Sequence, residues 1–149
     1  MTIALAQTTP AIEPGKRAMS QHVATGTFDV SLTPVGTPDA AVGSMMIAKT
    51  FHGDLEGTSA GQMLAIRTPT SGSAGYVAME RVTGTIAGRR GSFALQHSGT
   101  MNRGAASLSV GVVPDSGTDG LLGISGTMEI EVSPGKHAYR FSYVLPTER

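Results

Sequence analysis

From His22 onward, no window of eleven or more residues holds a helical period, and the densest apolar stretches alternate instead. That property confines the chain to strands. Glycine punctuates segments of seven to twelve residues rich in Val, Ile, Thr, Phe and Tyr, the pattern of many short strands. Eight segments can be marked, at roughly 23–33, 43–52, 54–67, 75–87, 91–101, 104–113, 121–133 and 136–145. The links between them carry turn chemistry: Gly88-Arg89-Arg90, Asn102-Arg103-Gly104, the longer stretch 114–120, and Ser133-Pro134-Gly135-Lys136. Short links force antiparallel neighbours. Eight such strands leave two open edges unless the sheet closes, so the expectation is all-β, an eight-stranded antiparallel up-and-down barrel. A two-sheet sandwich is the structural rival. Residues 1–21 read as an N-terminal tail, because Pro10, Pro14 and Gly15 interrupt any regular element, and 22–149 as a single barrel domain.

Glycine makes up 20 of the 149 residues, well above the average of about 7%. It follows no fixed short period, which excludes collagen, and the 40% apolar content argues against wholesale disorder. Eleven basic and eleven acidic residues give no positive field for a phosphate backbone, so no nucleic-acid partner is expected. No apolar run approaches the roughly 18 residues of a membrane-spanning helix. The N-terminus lacks a charged region ahead of its short apolar patch, which argues against a signal peptide, and the absence of cysteine removes disulfides and thiol chemistry. A cytoplasmic location is the expectation.

Alternation assigns faces to most strands. In the first, Ala24, Gly26, Phe28, Val30 and Leu32 form the apolar set; in the sixth, Ala106, Leu108, Val110 and Val112. The seventh gives Leu122, Ile124, Gly126, Met128, Ile130 and Val132; the eighth gives His137, Tyr139, Phe141, Tyr143 and Leu145. The second and third segments give no decisive face; Met45, Lys49 and Phe51 share one parity in the second.

The fourth and fifth segments are the informative pair. His97 travels with Phe93, Leu95 and Gly99, and Glu80 travels with Tyr76, Ala78, Val82 and Ile86, so both point inward. If Ile86 sits across from Gly91, Glu80 lies directly opposite His97. A slip of two residues puts His97 across from Val82 with Glu80 a diagonal neighbour, and either way the two side chains are within reach. A carboxylate and an imidazole inside a barrel are costly unless paired. Two readings follow: a buried polar pair that fixes register, or a proton-transfer site tuned by burial.

Other chemistry is weakly signalled. His22, His52, His97 and His137 show no metal-binding spacing, so no metal or cofactor is expected. Gly88-Arg89-Arg90-Gly91 lacks the ending of a phosphate loop, and no Gly-x-Ser-x-Gly elbow is present. Val77 and Met79 are apolar yet assigned outward, which makes a homo-oligomer an expectation.

The run Met79–Thr100, MERVTGTIAGRRGSFALQHSGT, resembles the signature of a bacterial family of small proteins known as a domain of unknown function and grouped with allene-oxide-cyclase-like barrels. Ala24-Thr25-Gly26-Thr27-Phe28, the stretch Lys49–Gly57 and the stretch Val113–Thr118 extend the resemblance, which covers roughly 22–145. It implies an eight-stranded antiparallel barrel whose relatives include cyclases that steer a ring closure in an apolar lumen. The polar signature positions it marks are Glu80, Gln96 and His97.

The functional expectation is a small apolar or aromatic molecule bound in the lumen. A cofactor-independent cyclase, isomerase or lyase would use Glu80 as general base or acid and His97 as its partner. Tyr76, Phe93, Gln96, Tyr139, Phe141 and Tyr143 would bind the substrate. The alternatives are a ligand carrier without catalysis and a structural barrel with a filled core. An internal void of roughly 300 Å³ or more, reached by Glu80, distinguishes the first two from the third.

Overall fold

The computed structural model describes residues 19–147. Eight strands follow one another: β1 (Met19–Val35), β2 (Gly43–Gly53), β3 (Leu55–Arg67), β4 (Ala74–Ile86), β5 (Arg89–Asn102), β6 (Ala105–Val112), β7 (Ser125–Ser133) and β8 (Lys136–Pro146). A short 3₁₀ helix, Asp119–Leu121, lies between β6 and β7. Each strand pairs antiparallel with the next and β8 returns to β1, so the sheet is a closed barrel in sequence order. The barrel is therefore the architecture, and the sandwich is not. Among the described residues no helix is long and apolar enough to cross a membrane.

Closure depends on β1, the longest strand. Met19–Thr27 pairs with β8, and Gly26–Val35 pairs with β2. The strand changes partner at Gly26, where a Cβ would meet the His52 carbonyl and, at 2.5 Å, the Tyr139 hydroxyl. Only glycine permits that approach. β1 also starts earlier than the alternation indicated, since Met19–Gln21 are strand residues; the rest of the stretch read as a tail lies outside the described residues.

Hairpin chemistry sets the register of β4 and β5. The loop is the dipeptide Ala87-Gly88, with φ of 51° and 72°. Two consecutive positive φ values are the hallmark of a type I′ turn, whose twist matches the flanking strands. Ile86 therefore faces Arg89. The turn expected at Gly88-Arg89-Arg90 therefore sits one residue earlier, because Ala87 takes a left-handed conformation that alanine signals poorly. Consequently Ala78 faces His97 and Leu95 faces Glu80, so neither anticipated pairing forms and Glu80 and His97 are diagonal neighbours.

The two barrel ends differ. One is plugged by the segment between β6 and β7. Val113 and Thr118 donate backbone N–H bonds to the carbonyls of Ala94 and Ser92. The Ser116 and Thr118 hydroxyls accept from the N–H groups of Ala94 and Ser92. These bonds press Leu121 and Ile124 into the core. Leu121, Leu122 and Ile124 are thus not part of a strand; Gly123, at φ +81°, breaks the run, and Leu122 is exposed. β7 begins only at Ser125. The plug has a cost in pairing, because β6 meets β7 through the single bridge Gly111↔Thr127.

The opposite end is open. Leu32, Leu108 and Val132 belong to the inward parity but are exposed, because they lie beyond the packed interior. Leu55, Val82, Ile86, Phe51, Phe93, Leu95 and Phe141 fill the interior near the plug. The Tyr139 hydroxyl ties that interior to the β2–β3 hairpin: it accepts from the Leu55 N–H at 3.0 Å and donates to the His52 carbonyl at 3.0 Å. Tyr139→Phe leaves the buried Leu55 N–H without its partner and is expected to cost about 1–3 kcal/mol in urea unfolding; an unchanged midpoint would show that the hydroxyl does not hold the hairpin.

Candidate functional site

Inside the barrel, four polar side chains among the described residues are buried: Lys49, Ser59, Glu80 and His97. They come from β2, β3, β4 and β5, and alternation turns each inward in phase with an apolar neighbour. Lys49 shares a face with Ile47 and Phe51, and Ser59 lies opposite Lys49 across the β2–β3 ladder. Glu80 has room because Gly61 is its partner on β3; a Cβ on Gly61 would meet the Met79 carbonyl and, at 2.7 Å, the Cβ of Glu80.

Glu80 is the centre of the group. Its Oε2 accepts a hydrogen bond from Lys49 Nζ at 2.8 Å and lies 3.1 Å from His97 Nε2. The His97 approach is close but misaligned for a hydrogen bond, so Nε2 lacks a bonded partner. Glu80 Oε1 and Ser59 Oγ are also buried without one. The Lys49 ammonium sits 4.8 Å from the Phe28 ring centroid and 5.9 Å from that of Phe51, where the ring faces favour a cation.

Burial raises the cost of ionising Glu80, but the His97 contact and the Lys49 charge outweigh it and hold the carboxyl below its ordinary value of 4.5. Glu80 is therefore an anion at neutral pH: a proton acceptor, not a donor. The chemistry this group supports is charge pairing, orientation of a polar ligand atom, and proton abstraction. No group of three or more His, Asp or Glu side chains among the described residues is arranged to hold a metal ion.

Toward the open end, the polar group gives way to a pocket of about 320 Å³ in the barrel mouth, lined by Met63, Ala65, Tyr76, Gly99, Met101 and Leu108 among others. The Tyr76 ring lies against Gly99, where a side chain would displace it. Burial, and after it the Glu80 charge, pushes the Tyr76 hydroxyl up, so it stays protonated. The ladder orders the layers: Met63 in the pocket faces Ala78, and the next inward position, Gly61, faces Glu80. The void thus lies one layer above the carboxylate.

The expected site residues separate accordingly. Glu80 and His97 come together, and Tyr76 lines the mouth. Phe93, Phe141 and Tyr143 form a stacked series of buried rings, with centroids 5.6 and 5.2 Å apart, and Tyr143 carries it on to the exposed His22 ring at 5.2 Å, away from the mouth pocket. Tyr139 spends its hydroxyl on the backbone of the β2–β3 hairpin. Gln96 is exposed on the outer surface, because β5 alternates and its neighbours Leu95 and His97 face in. Sequence reasoning missed Lys49 and Ser59. The signal for Lys49 was its shared parity with Phe51, which a lysine breaks only on an inward face that holds a counter-charge.

The family model described as "Protein of unknown function (DUF3224)" matches residues 24–143. The structure is similar to a crystal structure of a protein with unknown function from the DUF3224 family of Shewanella oneidensis MR-1. The two are 44% identical, with a TM-score of 0.79, covering 88% of this chain and 100% of that one. No curated protein matches the chain. The resemblance carried by Met79–Thr100 is borne out at the level of family and barrel.

The Lys49–Glu80 pair yields a stability prediction. Lys49→Met leaves a buried carboxylate without its cation and is expected to cost about 3–5 kcal/mol, whereas Lys49→Met with Glu80→Leu regains most of that loss. Because the folded carboxyl is held low, its contribution is complete above the ordinary carboxyl value of 4.5 and fades as the pH falls through the folded value. Urea unfolding across pH 3–7 checks both points, and equal losses in the single and double variants would refute the pairing.

Proposed function

This chain belongs to the DUF3224 family, and we propose that it is a binding protein for a small, largely apolar molecule held in the open mouth of its barrel. The observation that supports this reading most directly is the pocket of about 320 Å³ at the mouth, near the lower end of the roughly 300–1,000 Å³ typical of small-molecule sites. Its walls are thioether, aliphatic and aromatic groups: Met63, Met101, Leu108 and Tyr76. Methionine adapts its shape, and the Tyr76 ring offers a flat stacking surface. The interior below is filled, so the ligand occupies the mouth and not the whole lumen.

The test is a titration with indole followed by amide and methyl NMR. Saturable shifts are expected at Met63, Tyr76, Gly99 and Leu108, and Ala65→Phe, which fills the pocket from β3, abolishes them. Shifts confined to the outer strand faces in the wild type would reject the mouth as the site.

A second reading adds acid–base chemistry, and the approach of His97 to Glu80 at 3.1 Å favours it. Glu80, ionised and with Oε1 unpartnered among the described residues, lies one layer below the mouth pocket; a bound molecule that reaches down to that layer gives a proton from an acidic C–H to Glu80, and His97 receives or returns it. Base-catalysed isomerisation and elimination without a cofactor begin in this way. Phenylacetone in D₂O provides a direct measurement: the wild type is expected to accelerate deuterium uptake at the carbon beside the carbonyl, and Glu80→Gln to remove the acceleration. Equal rates with and without wild-type protein would leave binding as the whole function.

A further inference from the structure

The mouth pocket carries one charged side chain, and it names the ligand class. Twelve described residues line the cavity, and Arg67, the last residue of β3, is the single ionisable one among them besides Tyr76. Arg67 belongs to the inward parity of β3, with Leu55, Ser59, Met63 and Ala65, and is exposed at the rim. It forms no ion pair or side-chain hydrogen bond among the described residues. No carboxylate among the described residues lines the pocket. The nearest acidic group along the β4 face, Glu80, lies a layer below and is already neutralised by Lys49 at 2.8 Å.

From this arrangement we infer that the ligand is a small amphipathic carboxylate: an apolar body seated on Met63, Tyr76, Met101 and Leu108, with its anion at Arg67. The inference rests on the mouth-pocket reading and adds the head group to it. A guanidinium binds a carboxylate through two parallel N–H bonds, a geometry that an ammonium cannot match. Tyr76 adds a hydroxyl that stays protonated as a donor and has no partner among the described residues. A pocket of about 320 Å³ accommodates an aryl or short alkyl group.

The experiment compares three probes of one shape: hydrocinnamate, hydrocinnamyl alcohol and phenylpropylamine. Each is titrated by calorimetry and NMR into the wild type, Arg67→Gln, Arg67→Lys and Ala65→Phe. For the wild type, the carboxylate is expected to bind about tenfold more tightly than the alcohol, and the amine more weakly than either. Arg67→Gln lowers carboxylate affinity to that of the alcohol and leaves the alcohol unchanged; Arg67→Lys restores only part of it. Ala65→Phe weakens all three. Equal binding of acid and alcohol, with no effect of Arg67→Gln, overturns the head-group assignment while the pocket stands. Failure of every probe to bind the wild type overturns the pocket and the head-group assignment together. Arg67 is exposed at a strand end, so its replacement spares the fold.

Discussion

Every feature of this chain depends on one constraint: the edges of an eight-stranded sheet must meet. Backbone groups along an open edge would stay unpaired, and the chain removes both edges by lending β1 to two partners in turn. That solution requires a strand longer than its neighbours and a position with no side chain at the change of partner, which Gly26 supplies. Tyr139 then fills the space that the missing side chain leaves and bonds the backbone of the next hairpin. Closure, the glycine and the tyrosine are one device.

Closure also explains how charge survives inside. A barrel of eight strands has an interior just wide enough for side chains to fill, so any polar group there must find its partner across the lumen. Lys49, on β2, reaches Glu80, on β4, with Phe28 and Phe51 flanking the ammonium. The plugged end is apolar and packed; the open end is apolar and hollow; the ion pair separates them. This polarity along the axis supports a binding function at one end without disturbing the stabilising core at the other.

Strand number, order and closure were legible because period-two alternation and turn residues are local signals. The inward placement of Glu80 and His97 was legible for the same reason. Their register was not: it turned on whether Ala87 would accept a positive φ, which the alanine side chain does not announce. Lys49 escaped because β2 mixes methionine, lysine and threonine, so its faces differ little in polarity. Leu122 misled because the apolar run crosses Gly123, where the chain turns to plug the barrel. Gln96 shows the limit of resemblance, since a signature position marks a family and not a side of the sheet. Gains came where a residue's neighbours on both strands constrain it, and losses where a single dihedral decides.

The single bridge between β6 and β7 has a mechanical consequence. Seven of the eight seams between strands are stitched along several residues, while this one is held at Gly111↔Thr127 alone. Local opening concentrates where few backbone bonds resist it, so hydrogen exchange begins along this seam and spreads from it. Ala106 and Leu108, which form one side of the mouth, lie on β6 beside that seam. The mouth therefore has one stiff flank, fixed by the β3–β4 ladder, and one compliant flank that yields to the width of whatever enters.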